Sequence, residues 1–393
     1  MRPILVIIVV AQFFCTSLWF AGNAVAGEII QSLKLAPRFL GHMTSAVQLG
    51  FISGTLWFAI AGIADRYAPS RVFFYSSICA AAFNAAITLP FQGAFFILVM
   101  RFFTGFFLAG IYPVGMKIAS DYFREGLGKS LGYLVGALVL GTALPHLLKS
   151  ISLHLSWNYV FLGTTILSIT GGILMLWLVP VGPHRKPGKK VMGMSIAKPF
   201  RHKPFKAVAF GYFGHMWELY TLWAFVPVML TAYAGLHPGF EVNIPLLSFA
   251  TIGIGAAACV MAGIISQKTG AEKIARFALA GSGICCLISP LIFLQGYSVL
   301  FIVFMLMWGI LVIADSPMFS TLVANHAPAE ERGTALTLVT CIGFAITIVS
   351  ILLLNNLREI FSPEWLFLFL LPGPVFGLLG MYADKNNLSD PKK

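Results

Sequence analysis

Three features of this 393-residue chain predict an all-α membrane protein with twelve transmembrane helices in two bundles of six. Hydrophobic residues make up 58% and charged residues only 10%, whereas soluble domains carry about a quarter charged residues. Apolar stretches of about 20 residues, each enough to cross a ~30 Å hydrocarbon core as a helix, recur along the chain. The longest polar interruption falls near the middle and is strongly basic.

The apolar stretches cover residues 4–29, 40–63, 71–90, 93–119, 129–149, 157–180, 206–233, 245–266, 274–294, 297–323, 333–355 and 364–383, numbered helix 1 to helix 12 in that order. They lack the alternation of barrel strands, and a bilayer otherwise admits only helices. Arg2 before an apolar run, with Ala24-Val25-Ala26 after it, also resembles a cleavable signal. The run is long for that role and eleven spans follow, so it is kept as helix 1.

The central interruption, Val181 to Pro204, is rich in Lys, Arg, Pro and Gly and has six spans on either side. It reads as a linker (181–205) between an N-terminal bundle (1–180) and a C-terminal bundle (206–393), and its basicity also suits lipid contact. The formal net charge of +12 follows from topology. With the N-terminus in the cytoplasm, Lys34, Arg38, Lys149 and Arg358 lie outside and Arg101 within the membrane. The other 21 of the 26 Lys and Arg lie on the inner side, the asymmetry of a positive-inside protein. Both termini are then cytoplasmic, and no nucleic-acid partner is implied. All six cysteines fall in apolar spans, without a C-x-x-C pair, and are expected to be free.

Landmarks recur about half a chain apart. The stretch Ala61 to Arg71 after helix 2 is echoed by Ala262 to Lys273 after helix 8, and Gly105 and Pro113 of helix 4 by Gly309 and Pro317 of helix 10. Two duplicated six-helix halves with a site between them are a common transporter plan.

Several segments resemble the major facilitator superfamily across the whole chain. The loop Ala61-Gly62-Ile63-Ala64-Asp65-Arg66-Tyr67-Ala68-Pro69-Ser70-Arg71 is similar to the family's Gly-x-Leu-Ala-Asp-Arg-x-Gly-Arg-Arg. It matches at Asp65 and Arg66 and departs at Ala61, Ala68 and Pro69-Ser70, which push the later cation to Arg71. Arg101-Phe102-Phe103-Thr104-Gly105 resembles an Arg-x-x-x-Gly element. Trp157 to Phe161 resembles the opening of helix 6, with Asn158 in place of arginine, and Ala329 to Ala335 the start of helix 11. The resemblance implies a rocker-switch carrier whose helices 1, 4, 7 and 10 face a central cavity, with Asp65, Arg66 and Arg71 in a cytoplasmic gate.

The placement of ionisable residues points to the same helices independently. Arg101 lies on helix 4, His215 and Glu218 on helix 7, Asp315 on helix 10, and the polar Asn23 on helix 1. A charge in hydrocarbon costs at least ~2.5 kcal/mol, so such residues face protein or water and commonly mark a transport path. His215 and Glu218, three apart on one helical face, are expected to line the cavity. A carboxylate moved between wet and dry surroundings changes its proton affinity, which makes Glu218 a candidate proton carrier. His215 would tune it or donate to the solute, and Asp315, nearer the cytoplasm, is a second proton site loosened by Pro317. Arg101 would attract an anionic solute or act as an alternating partner of the acids. Tyr112, Trp217, Tyr220 and Trp223 form a candidate stacking wall for the solute.

Each assignment has a structural alternative. Glu218 could form a permanent pair with Arg101 or His215, Asp315 could cap or kink helix 10, and the aromatic side chains could be packing or interfacial groups. Glycines 132, 136 and 141 on helix 5 suit close helix packing. The Gly-Pro element typical of many drug antiporters is missing from helix 5, so multidrug or metabolite efflux ranks second to proton-coupled movement of a small organic solute, slightly preferred as an anion.

Other classes fare worse. Gly128-Lys129-Ser130 ends like a P-loop, but Phe123 stands where its first glycine belongs and no strand precedes it. His215-x-x-Glu218 offers two metal ligands at most. No cofactor, metal or enzymatic activity is therefore expected, while a non-transporting receptor with the carrier fold stays open. The expected partners are the solute, protons and the lipid bilayer, with a monomer as the default unit. Lean loops and short tails suit a bacterial inner membrane.

Overall fold

The computed structural model describes residues 3–90, 93–123, 127–185, 199–327 and 332–383. Twelve helical rods run through it. These are α1 (Pro3–Thr16, Ala21–Ala24 and Ala26–Ser32), α2 (Phe39–Ala61), α3 (Pro69–Ala86), α4 (Ala94–Leu108 and Tyr112–Tyr122), α5 (Leu127–Ile151) and α6 (Asn158–Leu178). The second half holds α7 (Lys203–Leu236), α8 (Ile244–Thr269), α9 (Ala271–Leu294), α10 (Ser298–Ala314 and Ser316–His326), α11 (Arg332–Leu357) and α12 (Pro363–Leu366, a 3-10 turn Phe367–Leu370, and Pro372–Tyr382). No strand occurs among the described residues. The fold is all-α, with six helices in each half.

Ten rods are long and apolar enough to cross a membrane. The other two show what sequence periodicity averages over. The expected continuous helix over 4–29 is broken twice, once at residues 17–20 and once at Val25. In α3, Ser76, Ser77 and Asn84 lower the hydropathy but are buried, Ser76 against Gly110 at the break in α4 and the other two against α6, where Asn84 donates to the Phe161 carbonyl and to Thr164 and Thr165. Helix starts follow local chemistry. Proline occupies the first turn of α3, α7, α8 and α12, where its missing N–H costs nothing, and the Asn243 side chain accepts from Leu246 N at 3.0 Å to cap α8.

The two halves repeat one packing solution. Gly105 of α4 lies so close to α2 that an added Cβ would collide with the Val47 carbonyl, and Gly309 of α10 has the same relation to the Thr251 carbonyl of α8. Positions 105 and 309, and 47 and 251, are each 204 apart, so glycine and carbonyl partner repeat in one register. The second pieces of α4 and α10 both open with a proline in their first turn, Pro113 and Pro317. The other expected echo does not hold. Gly62, with φ +60°, turns the chain after α2, whereas Ala262 to Ser266 remain inside α8 and the turn falls on Gly270, with φ +86°.

Between the halves, α5 lies on α8, where Cβ atoms at Gly132 and Gly136 would sit 3.1 Å from the carbonyls of Cys259 and Ala256. The helix-5 glycines thus allow close packing, Gly141 doing so against α1. The other contact joins α2 to α11, where the Gly41 backbone meets Asn355. All six cysteines are free. The centre of the linker, 186–198, lies outside the described residues, as do residues 329–331 of the Ala329–Ala335 motif, whose remainder opens α11.

Gly105→Val and Gly309→Val should each lower stability by ~1–3 kcal/mol or more, since neither backbone carbonyl can move without displacing its helix. Gly27→Ala, with nothing within 4 Å of the new Cβ, should be neutral or stabilise by up to ~1 kcal/mol. Thermal unfolding of the three variants in detergent checks the contrast.

Candidate functional site

Glu218 and His215 sit on α7 but engage different neighbours. Glu218, 1% exposed, accepts from Trp308 Nε1 of α10 at 2.7 Å, Ser282 Oγ of α9 at 2.8 Å and Cys286 Sγ at 3.4 Å. All three donors are neutral. His215 Nδ1 lies 2.8 Å from Asp315 Oδ1, with both residues 1% exposed, and its Nε2 has no partner among the described residues. Tyr212 and Phe319 pack on its ring. Asp315 is the residue between the two pieces of α10, and its side chain makes no cap hydrogen bond.

The expected single face therefore resolves into two sites, a carboxyl held by neutral donors and a histidine–aspartate pair one turn away. Glu218 is paired with neither Arg101 nor His215. Sequence reasoning missed its donors, since Ser282 and Trp308 lie on other helices within apolar runs that carry no charge to draw notice.

Arg101 plays a different part from the one expected. It is fully buried, and its Nη1 donates to the Leu18 carbonyl at 3.0 Å and to Asn84 Oδ1 at 3.2 Å, while Nη2 donates to the Trp19 carbonyl. These are carbonyls of the unwound turn in α1, which a helix would otherwise satisfy. Arg101 thus clamps the break in α1 within its own half. The argument for an anionic solute falls away with it, because His215 is likewise occupied by an acid. Asn23 donates to Thr44 Oγ1 at 2.8 Å, tying α1 to α2.

The aromatic candidates divide. Tyr220 stacks on Trp19 of α1 with ring centroids 5.7 Å apart and meets Phe344 of α11 at 5.1 Å, while Trp223 meets Phe20 at 6.2 Å. With Phe51 of α2 against Trp19 at 4.7 Å, these rings form one cluster drawn from both halves. Tyr112, at the start of the second piece of α4, packs against the buried core to which Tyr220 belongs. Trp217 instead faces its own half, where it donates to the Phe369 carbonyl at 3.2 Å and packs on Gly373 of α12.

Charged groups mark the two ends of the bundle. At the linker end, Asp65 Oδ1 meets Lys117 Nζ of α4 at 2.7 Å, and Arg185, just past α6, donates to the Asp65 and Tyr67 carbonyls. None of these partners belongs to the C-terminal half. Arg66 and Arg71 are exposed there. At the opposite end, Arg38 of the α1–α2 connection forms a two-bonded pair with Glu359 of the α11–α12 turn, with Nε to Oε1 at 2.7 Å, and Asn355 donates to the Arg38 carbonyl at 2.8 Å. This latch joins the halves. The only sequence signal for it was two opposite charges among the few in the outer loops.

Two six-helix halves in one membrane bundle, broken helices where they meet and buried titratable groups beside the breaks define a multi-pass membrane transporter. The model of the Major Facilitator Superfamily matches residues 7–351, and the chain belongs to that family. The fold is similar to a bacterial homologue of the human lysosomal transporter Spinster in an inward-facing and unoccupied conformation. The TM-score is 0.69 at 15% identity over 98% of this chain and 96% of that one. It is also similar to the proton:xylose symporter XylE bound to 6-bromo-6-deoxy-D-glucose, with TM-score 0.72 at 15% identity over 97% and 95%. At that identity the likeness concerns the fold. Comparison with curated protein sequences gives no significant match.

Arg101→Leu should destabilise by at least ~3 kcal/mol, because it strands two buried carbonyls and the Asn84 oxygen at ~1–3 kcal/mol each, while Arg101→Lys should recover part of the loss. Thermal unfolding measures both. The Arg38 guanidinium bonds the Glu359 carboxylate and holds it below the usual carboxylate range. The latch is accordingly present above the ordinary glutamate pKa of ~4.3 and lost as pH falls through the lowered Glu359 value. Spin labels at Lys34 and Ile360 should report wider separations in acid, and at neutral pH in Glu359→Gln.

Proposed function

We propose that this protein is a proton-coupled secondary transporter that moves a small organic solute by alternating access. In this reading residues 1–180 and 206–393 rock about the site between them and are joined by the 181–205 linker. The observation that carries it is Glu218, a fully buried carboxyl with only neutral donors around it. Ionised, it would be a net charge in a dry region of the membrane; protonated, it is neutral. A group so placed changes proton affinity when a change of access brings water to it. The His215–Asp315 pair beside the α10 break is the second proton site, able to pass a proton between imidazole and carboxyl. Tyr220, Tyr112 and the ring cluster supply the solute's apolar contacts, and Asn23 and Arg101 hold α1 in place behind them. Asp65 with Arg66 and Arg71 stiffens the linker end, the cytoplasmic end when both termini are inside a bacterial inner membrane. The solute's charge is left open, since Arg101 and His215, the two groups that favoured an anion, are engaged elsewhere.

A thermal-stability screen of the detergent-purified protein against metabolites, sugars and drugs at two pH values, comparing wild type with Glu218→Gln, tests the reading. A solute at 100 times its dissociation constant should stabilise by ~2.7 kcal/mol. Its pH dependence should vanish in the variant, and solute-driven proton movement in proteoliposomes should vanish with it. Proton-coupled transport that survives in Glu218→Gln would make Glu218 structural and pass its role to Asp315. Binding without any movement of solute would indicate a receptor.

A further inference from the structure

A hollow of about 140 Å³ opens on the C-terminal half at the end remote from the linker. Val228, Met229 and Ala232 of α7 form one wall, Leu366 and Phe367 of α12 another, and Phe361 of the α11–α12 turn part of the rim. All are apolar. An apolar space of that size accepts a benzene-sized hydrocarbon group. One lining residue is charged: Arg358, half-buried on the same turn.

Arg358 is a cation without a committed anion. Its guanidinium has no hydrogen-bond partner among the described residues, and the carboxylate beside it, Glu359, is taken by Arg38 of the other half. Burial draws its pKa below the ordinary arginine value, with Glu359 as the one opposing charge. Around the turn, Ile360 and Trp365 are exposed, the composition of a membrane–water boundary, where lipid headgroups lie.

We propose that this hollow binds an anionic amphiphile, whose phosphate or carboxylate pairs with Arg358 and whose apolar carbons nearest the acid group fill the space against Val228, Ala232 and Phe367. The charge and the apolar wall must act together. A simple anion leaves the hollow empty, and a zwitterionic amphiphile brings a cation up to Arg358 along with its phosphate.

The test measures thermal unfolding of protein in a nonionic maltoside against four separate probes: dioleoyl phosphatidylglycerol, oleate, dioleoyl phosphatidylcholine and inorganic phosphate. The proposal expects stabilisation by phosphatidylglycerol, oleate or both, and little from phosphatidylcholine or phosphate. The half-maximal concentration should rise at least tenfold in Arg358→Gln and in Ala232→Phe, which fills the hollow. Lys34→Gln, an exposed cation at the same end, should leave it unchanged. A response to phosphatidylglycerol alone identifies a membrane lipid as the source, and one to oleate alone a free fatty acid. Equal stabilisation by phosphatidylcholine, an unchanged response in Arg358→Gln, or no response to either anionic probe overturns the proposal. Should Ala232→Phe fail to fold, Arg358→Gln still decides.

Discussion

Hydrocarbon offers no hydrogen bonds, so every backbone group that leaves a helix inside the membrane must find a partner in the protein. The break in α1 is where this constraint bears hardest. Its residues Leu18 and Trp19 are buried, and Arg101 reaches from α4 to take both carbonyls. A hydroxyl has one O–H to offer and an amide two N–H groups, whereas the guanidinium has five N–H groups in a fixed fork. The charge is tolerable because two carbonyls and the Asn84 oxygen surround it, and Asn84 in turn is tied to α6. One buried cation therefore links α1, α3, α4 and, through Asn84, α6.

The same scarcity of polar partners explains why so many helix contacts run through glycine. Without a hydrophobic drive between helices in lipid, association depends on close van der Waals packing, and removing a Cβ is the direct way to gain it. The contact of Gly105 with Val47 and its copy at Gly309 and Thr251 set the distance of α4 from α2 and of α10 from α8. The pieces beyond the breaks, which begin near Tyr112 and Ser316, are thereby held against the ring cluster and the His215–Asp315 pair.

Much of this was legible in the sequence. Span ends follow hydropathy and proline placement, and the rarity of charge in apolar runs singled out Arg101, His215, Glu218 and Asp315. What those residues touch was not legible, because hydropathy reports depth and not direction. His215 and Glu218 are three apart, an angular step of ~60° on a 3.6-residue helix, enough for one to meet α10 at its break and the other to meet α9 and Trp308 of the first piece of α10. The unwinding at residues 17–20 has no proline or glycine to announce it. The partner that satisfies its carbonyls, Arg101, is more than 80 residues away, and the latch likewise pairs residues 321 apart in the chain.

The two ends of the bundle are held by different chemistry. At the linker end, Asp65 and Lys117 lie in one half and Arg185 at the start of the linker, so their bonds stiffen that half and do not tie it to the other. At the far end, Arg38 and Glu359 cross between halves while side-chain exposures of 54% and 34% leave them in contact with water. An exposed ion pair contributes little net stability and is weakened by salt. A bond so placed can be broken at small cost, whereas the buried networks around Arg101 and Glu218 cannot. In the proposed alternating-access reading, the halves would separate at the latch and the ring cluster and turn on the glycine-lined contact of α5 on α8.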